Sequence, residues 1–147
     1  LFRSEIYNEC NLKDSRVIIQ ANLDLLQILK AYDELKQLGH LEKSKHTIKA
    51  AQSLSKWLLE NERENSMIAL HQLNSLQITK RQRAFTEDEI NLLLQLSQNN
   101  SDMVRAGAFL LLGKIDVAQF IIQQFSEDEK TRFMEFPIAI FIKGTNC

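Results

Sequence analysis

A single proline and four glycines are all that punctuate 147 residues. Proline ends helices because it lacks an N–H and its ring clashes with the preceding turn; glycine weakens them through backbone freedom. A chain this poor in breakers runs in long helices, and its few breakers mark where they stop. The apolar spacing says the same. Ile18, Ala21, Leu25, Ile28, Tyr32 and Leu35 recur every three or four residues after Asp14 or Ser15, either of which suits an N-cap. Gly39 closes that helix, being at ease in the left-handed conformation. A second helix is predicted from Glu42 to Glu60, with Ala50, Ala51, Leu54, Trp57 and Leu58 inward. After the polar connection 61–65, a third runs from Asn65 or Ser66 to Thr79 on Ile68, Leu70, Leu73, Leu76 and Ile78.

Two capping boxes follow, in which a hydroxyl accepts from the N3 N–H and the N3 carboxylate reaches back. Thr86 with Glu89 opens a fourth helix carrying Ile90, Leu92, Leu93, Leu94 and Leu96, and Ser126 with Glu129 opens a seventh that Pro137 ends. Between them lie a fifth helix, Met103 to Leu112 closed by Gly113, and a sixth, Ile115 to Phe125. These two are apolar nearly all round. They are expected to be covered on several sides, by the fourth helix, each other and the C-terminal element. The run Ile138 to Ile142 fits a helical turn or a strand. The fold class is therefore all-α: six to seven helices in stacked antiparallel hairpins. The expected organisation is a single helical domain, 1–147, with an N-terminal extension 1–13, hairpins 14–60, 65–98 and 101–125, and a C-terminal cap 126–147.

Ala106, Phe109, Gly113, Ile115, Ala118 and Ile122 stand at the spacing of a tetratricopeptide repeat. That pattern wants small residues where two helices approach, a bulky residue one turn away on each, and glycine at the turn. The stretch Ala106 to Ile122 resembles that family, with departures at Asp102, Phe125 and Lys130, where the repeat carries Trp, a small residue and Pro. The resemblance implies a helical array that binds proteins or peptides. The closing stretch through Phe136-Pro137-Ile138 is also similar to helical C-terminal regions of multidomain bacterial proteins.

Charged residues make up 25% of the chain and the net charge is −1, so no global field draws nucleic acid or an anionic membrane. Cys10 and Cys147 form neither a disulfide framework nor a metal motif, which fits a reducing, cytoplasmic setting. No apolar run reaches the length of a membrane span, and the start reads as no signal peptide. The first residue, Leu1, suggests a processed chain or a piece of a larger protein.

Reactive constellations are missing from the sequence. There is no phosphate-binding loop and no nucleophile elbow. His40 and His46, with Glu42 the one nearby carboxylate, do not make a zinc set, and no cofactor is expected. The triplets Glu87-Asp88-Glu89 and Glu127-Asp128-Glu129 read as first-turn charges that complement the helix dipole rather than as acid–base pairs. Trp57 reads as core. The chain is therefore expected not to be an enzyme but a bacterial protein–protein interaction domain of helical-repeat type, with a groove for a peptide or helix. Tyr32, His71, Asn74, Arg81, Arg83 and Arg105 are the candidate partner-binding residues. A first alternative is a nucleic-acid-associated module using Lys80, Arg81 and Arg83, with Lys43, Lys45 and Lys49 adding charge elsewhere. A second is a regulatory or homodimerising domain of a larger protein. The run Phe136 to Ile142 is expected to cover the end of the stack, with an exposed patch as the competing reading.

Overall fold

Residues 15–145 are described by the structure, a computed structural model; Asp14, the 1–13 extension and both cysteines lie outside them. Eight helices follow one another among these residues, with no strand. They are α1 (Ser15–Gln37), α2 (Leu41–Asn61), α3 (Asn65–Lys80), α4 (Glu87–Leu96), α5 (Asp102–Leu111), α6 (Ile115–Gln123), α7 (Glu127–Met134) and α8 (Pro137–Thr145). The sequence reading of six to seven falls one short, because the run after Pro137 is itself a helix. Proline at its first position costs nothing, since that N–H has no partner inside a helix and φ is already set. The chain divides into two compact units, up to His71 and from Gln72 onward, with the division inside α3.

In the first unit α1 packs along α2. Ile18, Ala21, Leu25, Ile28, Leu29 and Tyr32 are buried from α1, and Ile48, Ala51, Leu54, Trp57 and Leu58 from α2. Each large side chain removed from water contributes about 1.5–3 kcal/mol. Trp57 is thus core. The hairpin turns at Gly39 (φ +78°), where the Gly39 and His40 N–H groups donate to the Lys36 and Leu35 carbonyls at 3.1 and 2.9 Å. This double closure is a Schellman motif, and only glycine enters its left-handed position without strain. Gly113 (φ +79°) repeats it after α5, its own N–H meeting Leu110 and that of Lys114 meeting Phe109.

In the second unit both predicted capping boxes form, at Thr86 with Glu89 and at Ser126 with Glu129, and the Ser101 hydroxyl accepts the Val104 N–H at the start of α5. As its all-round apolarity requires, α5 is the central helix here, packed against α4, α6 and α8. The pairing of α4 differs from expectation: it lies chiefly on α5 rather than on α3. α6 packs on α5 but keeps one apolar edge open, where Val117 and Phe120 face out, Phe120 with 65% of its surface exposed. α8 covers α5 with Ile138 and Ile142 but leaves Ile140 in solvent. Gly107 sits where α5 meets its neighbours: a Cβ there would lie 2.6 Å from Leu73 Cδ2 and 3.3 Å from Ile138 Cδ1. Phe125, Phe133 and Phe136 close the end of the unit in successive edge-on contacts, with centroids 5.7 and 5.9 Å apart.

Candidate functional site: an apolar groove in the second unit

The spacing Ile115, Gln119, Ile122, Gln123 puts four side chains on one face of α6, since residues three and four apart are helix neighbours. Ala139, Ile142 and Lys143 share a face of α8 by the same rule. These two faces are the walls of an open groove of about 570 Å³, with Leu110 of α5 and Met134 of α7 completing it. The volume lies within the range of small-ligand clefts. The groove is lined by aliphatic side chains, two amides and one charge, that of Lys143. It has no carboxylate, imidazole or hydroxyl in its lining. α6 runs from Ile115 to Gln123 along it, about 12 Å at 1.5 Å per residue, or two helical turns.

The candidate residues named from sequence lie elsewhere. Tyr32 and His71 are buried in the first unit. The His71 Nε2–H donates to Glu62 Oε1 at 2.6 Å, the two side chains being 0% and 5% exposed; a carboxylate acceptor requires the proton on that nitrogen. His71 Nδ1 is left buried with no partner. Glu62, the residue that caps α2, also accepts the Arg63 and Glu64 N–H groups at 3.1 and 3.3 Å on its other oxygen. One carboxylate thus ties the end of α2, the turn and the second turn of α3.

In the second unit the structure brings Asn74 and Arg81 together through Gln77. The buried Gln77 amide donates to Asn74 Oδ1 at 2.8 Å, and Arg81 Nη1 donates to both the Gln77 carbonyl and its Oε1 at 3.0 Å. Arg83 is drawn away to Glu89 by two parallel bonds of 2.8 and 2.9 Å, a fork-to-carboxylate match. That hydrogen bond, with the Thr86 N–H, holds the Glu89 carboxyl down to about 2, and it raises Arg83 in turn. Arg105 pairs with Asp102 at 3.0 Å. Lys80 rests over the Phe85 ring, 5.3 Å from its centroid. The three cations of the basic cluster are each engaged within the fold, on Phe85, on the Gln77–Phe141 side and on Glu89. Among the described residues no three His, Cys, Asp or Glu side chains gather for a metal ion, and no helix is long and apolar enough to cross a membrane.

None of the six named residues lines the groove. The spacing of α6 shows which of its side chains share a face, but not that this face is left open, and α6 reads as apolar nearly all round. In comparisons with known proteins no family model matches the chain, and no curated protein or solved structure matches it.

Proposed function

We propose that the chain is a protein-interaction module whose second unit receives an amphipathic helix in the groove between α6 and α8. The observation that carries the reading is the groove itself: two helix faces over two turns, mostly apolar, with two amides and a single charged side chain in the lining. An amphipathic helix offers anchors at i, i+3 or i+4, and i+7, the repeat that Ile115, Gln119 and Ile122 present from the other side. The α5–α6 hairpin that makes the floor and one wall is the segment with tetratricopeptide-like spacing. Ala106 and Ala118 are fully buried, consistent with small residues permitting close approach. A reading through the basic cluster draws less support, since its cations already have intramolecular partners.

The test is selection of binders from a displayed library of amphipathic helical peptides, with affinities measured by fluorescence anisotropy. Met134, which is exposed, and the half-buried Ile115 are suited to substitution without loss of the fold. Met134→Glu and Ile115→Glu are expected to weaken a selected peptide at least tenfold. Ile19→Glu, on the exposed side of α1, is expected to leave it unchanged. Selection that returns no binder, or binders indifferent to both groove variants, refutes the proposal.

A further inference from the structure

We infer that α8 is an adjustable wall of this groove and that Arg81 is the latch that sets its position. The inference rests on reading the groove as a binding site.

α8 does different work on different edges. Ile138 and Ile142 are buried, and Ala139, Ile142 and Lys143 face the groove. The edge turned away from the groove carries Phe141, whose ring lies under the Arg81 guanidinium, 4.2 Å from centroid to Cζ. Arg81 Nη2 also donates to the Pro137 carbonyl at 3.3 Å, a bond that spans 56 residues of sequence. The other end of the latch is rigid. Arg81 Nη1 is held by two Gln77 oxygens, and Gln77, 1% exposed, is held by the buried Asn74. A chain of polar side chains, buried at Asn74 and Gln77 and half-buried at Arg81, therefore runs down the end of α3 and finishes on α8.

α8 depends on its contacts. It has nine residues, and isolated helices below about 12–15 residues are marginal unless packing fixes them. Only Glu135 and Phe136 separate it from α7. Pro137, Ile138, Ala139 and Ile142 are its buried residues, and Arg81 holds it from another side. Loss of the arginine leaves the buried residues as a pivot and frees the wall to swing, changing the groove's width. Lysine is a poor substitute, since an ammonium cannot reproduce the flat fork that reaches Gln77 and Pro137 while stacking on a ring.

The experiment places nitroxide labels on opposite walls, at Gln119 and Lys143, in a chain whose Cys10 and Cys147 are serine, and measures the distance distribution by electron double resonance. The unaltered latch is expected to give one narrow distribution and Arg81→Ala a broadened one, with Arg81→Lys between. Phe141→Leu removes the ring without touching α3 and is expected to broaden it as well; circular dichroism checks that each variant keeps its helicity. Amide exchange at residues 141–145 is expected to quicken about tenfold in Arg81→Ala, with α1 and α2 unchanged. A peptide selected for the groove is expected to bind Arg81→Ala about tenfold more weakly. Identical distance distributions in all variants overturn the inference, as does a broadened distribution with unaltered peptide affinity. Failure of the unaltered chain to bind any peptide instead removes the groove reading, and the label distances distinguish the two failures.

Discussion

Gly107→Ala pits helix propensity directly against packing. In the middle of a helix, alanine is favoured over glycine by about 0.8–1 kcal/mol. Gly107 lies within α5 and is not at positive φ, so on propensity alone the substitution stabilises. The added Cβ, however, arrives 2.6 Å from Leu73 Cδ2, 3.5 Å from Leu73 Cδ1 and 3.3 Å from Ile138 Cδ1. The first of these is a full clash with the end of a side chain. Leu73 and Ile138 are each 4% exposed, so neither has open space into which to turn. Inserting a methyl group into a packed core costs about 1–3 kcal/mol. The clash outweighs the propensity gain, and the net expectation is a loss of about 0.5–2 kcal/mol. At about 2–4 °C per kcal/mol for a chain of this size, scanning calorimetry should show Tm falling by about 1–8 °C. In the background Leu73→Ala, which vacates the space, the same change should be neutral or stabilising. A rise in Tm for the single variant, or equal effects in both backgrounds, refutes the close-packing argument.

Two further outcomes follow from the polar pairs. The Glu89 carboxyl is held at about 2 against an ordinary 4.5, so its contribution to stability is full above 4.5 and is lost as pH falls toward 2. Urea midpoints of the protein and of Glu89→Gln should therefore differ at pH 6 and converge at pH 2; a constant difference across that range contradicts the assignment. His71→Leu strands the Glu62 carboxylate, which is 5% exposed and keeps only its two backbone donors. Removing one member of a buried pair is strongly destabilising, by about 3–5 kcal/mol. Adding Glu62→Gln should recover part of that loss; a cost of the single variant below about 0.5 kcal/mol, typical of surface positions, counts against a buried coupling.

Much of the fold was legible along the chain because its signals are local. The stripe Ile18 to Tyr32 and the capping boxes at Thr86 and Ser126 each act within a few residues, and each took the predicted form. The same holds for the left-handed turns at Gly39 and Gly113. The run after Pro137 stayed open between turn and strand because five apolar residues fit either period. Contact with α5 and α7 resolves it as a helix.

The site was less legible. His71, Asn74 and Arg81 were singled out as polar positions beside inner faces, but polarity next to a core does not reveal whether a partner is internal. Only the folded chain sets Glu62 against His71, Gln77 between Asn74 and Arg81, and Phe141 beneath the guanidinium. The groove is a still more distant product. Ile115 and Ile122 belong to one stripe and Ile142 to another, and nothing in either spacing states that a gap remains between them. Helix formation and capping are decided by neighbours in sequence, so the sequence alone determined an all-helical chain and most of its boundaries. Which apolar faces are covered, and which are left to line a groove, depends on how helices of limited length meet, and that the tertiary structure decided.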